Sequence, residues 1–205
     1  MTRRELLLAG LFGLAGCVTL PSFREAAVLE TLSPPIHLPD GLPRAGWQLA
    51  IGLPDAPPQF AGAGIALSRE PFAIEYYDGV AWAEDMPGMI QDLLVAAFTR
   101  SGEIIGVGAE SASFAADFLL ETELSEFQAE YWPRSAAPVV DLRMTARLLA
   151  MPARRVVGAI MPHAAARARS GKLDDVLAAC NEALGRVLSE IVVFALTTPR
   201  GAVAG

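Results

Sequence analysis

Residues 140–148 alternate without interruption. Val140, Leu142, Met144, Ala146 and Leu148 are apolar, while Asp141, Arg143, Thr145 and Arg147 between them are polar or charged. A β-strand turns successive side chains to opposite faces, so this segment has one buried face and one wet face. Such a strand requires partner strands and a second layer covering its apolar side alone.

The chain supplies both. Trp47 to Leu53 alternates with Trp47, Leu49, Ile51 and Leu53 on one face, and Pro54 to Pro58 ends it. Short strands are expected at Gly64–Ser68, at Phe72–Tyr77 with Phe72, Ile74 and Tyr76 together, at Val80–Glu84 and at Ile104–Val107. Phe118–Phe127 reads as a longer strand whose alternation slips between Leu124 and Phe127, and a β-bulge near Ser125 would return both to the core. Arg154 to Met161 pairs back on the 140–148 strand after a turn at Pro152. Two helices complete the set. Met86, Met89, Ile90, Leu93, Leu94, Ala97 and Phe98 share one face of a helix over 86–101, with Asp85 before it, Pro87 in its first turn and Gly102 after it. Leu173 to Ile191 repeat the pattern over 172–197, and Asp174, Asp175, Glu182, Arg186 and Glu190 on the other face exclude a transmembrane span. The expected fold is α+β in two layers: a mostly antiparallel mixed sheet with two main helices packed on one face.

The N-terminus has a different character. Arg3 and Arg4 precede an apolar run from Leu6 to Leu14 that is about half the length of a membrane-spanning helix. A basic start, a short apolar run and small residues mark an export signal. Thr2 to Leu7 also resembles a twin-arginine signal. Leu14-Ala15-Gly16-Cys17 resembles the lipobox of bacterial lipoproteins. That resemblance implies cleavage before Cys17, a lipid thioether on its sulfur and an acylated N-terminus. Val18 stands where an Asp holds enterobacterial lipoproteins at the inner membrane, which favours the outer membrane. The expected organisation is a signal peptide at 1–16, a lipidated Pro-rich tether at 17–46, one domain at 47–198 and a frayed tail at 199–205. The alternative for Cys17 is a disulfide with Cys180, the other cysteine. Cys180 falls on the apolar stripe of the second helix, where a lone Cys behaves as a small hydrophobe.

Charge and side-chain chemistry limit the function. The chain carries −7, and removing residues 1–16, a net +1 from Arg3, Arg4 and Glu5, leaves −8. That balance opposes binding to nucleic acid or to anionic lipid by charge, so membrane attachment falls to the acyl chains. His37 and His163 form no metal motif, no G-x-S-x-G elbow or phosphate loop is present, and Gly106-Val107-Gly108 lacks the third glycine of a dinucleotide site. Glu121 and Glu123 share a strand face and read as a solvated face rather than an acid pair. No catalytic residue, metal or cofactor is expected. Aromatic residues anchor interfaces, and Tyr77, Trp132 and Trp82 are the candidates for a partner or ligand surface. Trp82 and Tyr76 also suit core packing beneath the first helix, whereas Tyr77 falls on the opposite strand face.

With Cys17, the run Phe72-Ala73-Ile74-Glu75-Tyr76-Tyr77-Asp78-Gly79-Val80-Ala81-Trp82-Ala83-Glu84, the helix that follows, the Phe118–Phe127 strand, the hairpin around Leu149–Arg155 and the closing helix, the chain resembles the auxiliary lipoproteins of ABC-type transporters, the PqiC-like group. It departs from the group at residues 54–69, where Phe60-Ala61-Gly62-Ala63-Gly64 replaces a Tyr-Leu-Asp-type segment. The resemblance implies a non-catalytic envelope protein that accompanies an MCE-domain protein, an ABC permease and an ATPase moving lipids or other hydrophobic molecules between the inner and outer membranes. It implies lipid anchoring at the periplasmic face and leaves room for a homo-oligomer. The alternative function is a periplasmic lipoprotein that binds lipid or another ligand by itself.

Overall fold

The structure is a computed structural model and describes residues 27–112, 114–132 and 135–198. In chain order its elements are β1 (Val28–Glu30), β2 (Ala45–Ile51), α1 (Pro58–Ala61), β3 (Ala66–Ser68), β4 (Glu75–Tyr76), β5 (Val80–Trp82), α2 (Met86–Ser101), β6 (Ile104–Ala109), β7 (Phe118–Glu130), β8 (Val139–Ala150), β9 (Arg155–Ile160), β10 (His163–Arg167) and α3 (Leu173–Thr197).

Two long strands form the spine. β7 and β8 pair antiparallel from Phe118↔Ala150 to Glu130↔Val139. Each outer edge of this spine carries two shorter strands end to end. On the β7 edge, β2 pairs with Phe118–Leu120 and β3 with Ala129–Glu130, both parallel. On the β8 edge, β10 pairs with 139–143 and β9 with 146–150, both antiparallel. β6 extends the sheet beyond β2, again parallel, and β4 pairs antiparallel with β3. A separate two-stranded parallel sheet joins β1 to β5. Among the described residues, four ladders are parallel and four antiparallel. The sheet is therefore mixed, and the expected antiparallel majority does not hold. β2 and β3 both reach the spine after crossovers rather than hairpins, and α2 lies in the connection between β2 and β6.

The slip in alternation at Ser125 is a β-bulge. The register moves from Leu124↔Met144 to Glu126↔Arg143, leaving Ser125 without an opposite residue. Leu124 and Phe127 are both buried as a result. α2 and α3 cover the apolar face of the sheet in one core with Leu120, Leu124, Leu142, Met144 and Leu148. α2 spans the residues expected of it, and Gly102 closes it in a left-handed conformation, φ 67°. A smaller cluster of Ala50, Leu119 and Leu149 lies on the opposite face under Phe114 and Met151.

Three local expectations fail. β2 stops at Ile51, and Leu53 is 63% exposed, because Gly52 and Asp55 hydrogen-bond Leu120 and Thr122 along a path that no longer alternates. The strand at Phe72–Tyr77 shrinks to the two residues of β4: Phe72 takes φ 66°, which breaks the alternation. The segment read as a tether, with a short edge strand expected at Val28–Leu32, does form that strand as β1 but is then buried from Leu32 onward rather than free. Leu32 and Pro34 are buried, and Ile36, Leu38 and Leu42 rest on the core. The rest of the expected tether, residues 17–26, lies outside the described residues, as does the tail at 199–205.

This strap runs along α3 in matched steps. The Ser33 amide donates to Asn181 Oδ1 at 2.6 Å and the His37 amide to Ser189 Oγ at 3.0 Å. Between them Pro35 crosses Gly185, where a Cβ would overlap the Pro35 carbonyl oxygen. Two extended residues advance about 6.2–6.8 Å and four helical residues about 6.0 Å, so residues 33, 35 and 37 keep register with 181, 185 and 189. Glycine inside a helix ordinarily destabilises it by about 1 kcal/mol relative to alanine. Here the close backbone approach reverses that preference. Gly185→Ala is expected to lower stability by about 1–3 kcal/mol in urea unfolding, with faster amide exchange at Ser33 and His37. A gain in stability would show that the strap does not hold this position.

Candidate functional site

β3 and β7 run parallel and finish together at Ser68 and Glu130, where β8 begins and β10 ends. The first turn of α3 is at the same end: the Ala168 amide bonds the Pro138 carbonyl, and Ser170 and Arg169 bond the Asp175 carboxylate. Their hydrogen bonds hold the Asp175 carboxyl below its ordinary range, the Ser170 hydroxyl contributing most. Arg69, just past β3, lies over the Tyr131 ring at 5.8 Å and pairs with Glu75.

Tyr77 is half-buried against the core, and its hydroxyl meets that of Tyr131 at 2.8 Å. Burial, then that hydrogen bond, push its pKa well up and keep the phenol protonated. Tyr76 points the other way. It is 49% exposed, its ring lies against Gly64, and its hydroxyl donates to the Gln59 carbonyl at 3.1 Å. The reading that put Tyr76 in the core and Tyr77 at the surface is therefore reversed, since the alternation it relied on is broken at Phe72. Trp82 is 4% exposed and stacked on Phe127, with ring centroids 6.2 Å apart, so it builds the core and presents no surface. Trp132 is 55% exposed. Phe72, expected to share a strand face with Ile74 and Tyr76, stands wholly in solvent. Cys17 lies outside the described residues.

The uncovered sheet face carries charge. Asp141 accepts from Arg143 Nε at 3.2 Å and lies 3.0 Å from His163 Nε2, and Glu126 meets Arg143 Nε at 2.9 Å. Glu121 pairs with Arg154, while Glu123 is exposed opposite Thr145. Gly106 and Gly108 lie within β6, so they form no phosphate-binding turn. His37 belongs to the strap. Among the described residues no group of three or more His, Cys, Asp and Glu is arranged to hold a metal ion. No helix among them is long and apolar enough to cross a membrane.

Two open clefts flank Glu103. One, about 360 Å³, lies between the strap and the end of α2; the other, about 400 Å³, lies along β6. The space in the core beside Trp82, Phe127 and Cys180 is about 10 Å³, at the lower limit for one water. Cys180 is free and buried there, and burial pushes its thiol up to about 12. It remains a neutral thiol at physiological pH and is no nucleophile. Sequence reasoning missed Asn181, Gly185 and Ser189, whose signal is a polar or small residue every four positions on an apolar helix face.

The family of ABC-type transport auxiliary lipoprotein components matches residues 28–192, and the chain belongs to that family. Protein XCC0632 from Xanthomonas campestris, a solved structure assigned to DUF330, is 27% identical over 84% of this chain and 96% of its own, with a TM-score of 0.79. A solved uncharacterized protein is 15% identical over 80% of this chain and 97% of its own, with a TM-score of 0.59, and it supports the fold alone. No curated protein matches the chain.

Two predictions follow from the buried and half-buried groups. Cys180 should resist iodoacetamide in the native protein and react once urea unfolds it, as mass spectrometry of the tryptic peptides would show. Glu126 is held above its ordinary range by burial first and by the charge of Asp141 second, with Arg143 opposing. Its folded form binds a proton more readily than the unfolded chain, so this group's contribution to stability falls as pH rises through the raised range. Glu126→Gln should equal or exceed the parent in stability at neutral pH, with the gap closing on acidification. Urea melts across pH 4–8 would check it, and a deficit at neutral pH would mean that the Arg143 pair outweighs burial.

Proposed function

We propose that this chain is the lipid-anchored accessory subunit of an MCE-type ABC transport system, tethering an MCE-domain protein whose permease and ATPase move lipids or other hydrophobic molecules across the cell envelope. Family membership makes it an auxiliary component of an ABC-type transport system. The observation that carries the finer reading is the match over residues 28–192 behind the sequence Leu14-Ala15-Gly16-Cys17. In this reading Cys17 carries the lipid at the periplasmic face, with the outer membrane favoured by Val18. The domain supplies a binding surface and performs no hydrolysis, and ATP is left to its partner. Of the aromatic candidates, Tyr77 and Trp82 are held inside the domain, and Trp132 is exposed.

The stand-alone ligand-binding alternative calls for an enclosed pocket of several hundred Å³. The two larger spaces are open clefts, and the core space is about 10 Å³, so the geometry favours the accessory role.

Cys17→Ser should leave the domain's melting temperature unchanged, since the core described above, from Leu32 to Leu196, does not include it, and should release the protein from the membrane with loss of transport function. Co-purification from gently solubilised membranes tests the partner. Recovery of an MCE-domain protein with the parent chain supports the assignment, and a monodisperse lipoprotein without it counts against it.

A further inference from the structure

Phe72 is the most exposed large apolar side chain among the described residues, at 107%, and it has φ 66°. A left-handed conformation is strained for a bulky residue, and such strain persists where surrounding structure imposes it. Here it drives an aromatic ring fully into water. Ile74 and Trp132 are exposed at the same end of the sheet. Their two loops are neighbours, since Ser68 pairs with Glu130 and Arg69 packs on Tyr131. Core packing accounts for none of these three side chains.

The path of the chain indicates what they face. Tyr76 pairs with Ala66, the Tyr77 amide bonds Ile65 and the Trp82 amide bonds Ala63, so β4 and β5 run in turn away from that end. β1 is parallel to β5, and the strap continues the same way along α3. β1 therefore begins at its end nearer Phe72 and Trp132. Ile65 lies three residues, roughly 10 Å, from Ser68 at that end. The eleven residues from Cys17 to Val28 span at most about 36–40 Å, enough for this end to touch a bilayer holding the lipid.

We propose that Phe72, Ile74 and Trp132 insert into the interface of the bilayer that anchors Cys17, seating the domain with this end on the membrane. The proposal rests on lipidation of Cys17. Tryptophan and other amphipathic rings favour the headgroup level. Arg69, Arg167, Arg169 and Lys172 at this end are offset by Glu70, Glu75, Glu130, Asp174 and Asp175. Docking therefore draws on apolar insertion and does not need anionic lipid.

The test uses the mature chain in phosphatidylcholine vesicles carrying a doxyl-labelled lipid. Trp132 fluorescence should be quenched, and Trp132→Phe should remove the effect, because Trp47 and Trp82 are buried. Phe72→Gly should lower the docking equilibrium roughly ten- to a hundred-fold, abolishing quenching while the protein still floats with the vesicles. Its melting temperature should hold or rise, since glycine suits a positive φ; a simple folding defect would lower it. A second arm couples Cys17 of the unlipidated mature chain to a maleimide lipid, which the buried Cys180 thiol cannot capture. If the native chain fails to float, the natural anchor is wrong, and the coupled chain still decides the docking. Floating protein with unquenched Trp132 in the coupled arm overturns the proposal. So does quenching that survives Phe72→Gly, or protection of Trp132 by an added MCE-domain protein alone.

Discussion

The bulge at Ser125 governs the shape of this domain. β7 and β8 are long enough to carry two strands along each outer edge, and a straight pair would hold all of them in one flat sheet. One extra residue bends the bulged strand and increases its twist. The changeover from β10 to β9 on the β8 edge falls at residues 143–146, opposite the bulge. On the other edge, the stretch between β2 and β3 is bridged by Asp55 against Glu123. Both flanks therefore divide at about the level of the bulge. The apolar side accommodates α2 and α3 together, and the far side is left to charged residues and one small cluster under Phe114.

Sequence legibility followed the physics of each segment. The 140–148 strand, α2, α3 and the bulge were readable because each has enough apolar positions to reveal its period. Strand direction was not, because β2, β3 and β6 carry apolar alternation whether they pair parallel or antiparallel, and only the crossovers decide. Phe72 to Tyr76 had the right alternation and the wrong backbone. A single left-handed residue turned Phe72 outward, and Tyr76 and Tyr77 exchanged the roles expected of them. Leu53 failed for a similar reason, since the strand ended one turn of alternation earlier.

The strap was misread because prolines suggest freedom. Pro34 and Pro35 do hold the backbone extended, but an extended chain has the same advance per two residues as a helix has per four. That coincidence lets Asn181, Gly185 and Ser189 receive it at regular intervals. The polar atoms of Asn181 and Ser189, awkward on an apolar helix face, are those that satisfy the strap's amides. The candidate contact surface was legible only in part: Trp132 in its proline-bearing loop was visible from sequence, whereas Phe72 required the backbone.

The parallel pairing of β1 with β5 has a mechanical consequence. A pull transmitted along the chain from the N-terminal side acts along the axis of β1, so its hydrogen bonds to β5 are loaded in shear and share the force together. A strand drawn away at right angles would instead lose them one after another. Behind β1 the strap adds two further bonds to α3, and the steric fit at Gly185 keeps the Pro35 carbonyl against the helix. The start of the domain at Val28 is thus arranged so that a tug on the N-terminal segment meets several bonds at once before it reaches the core.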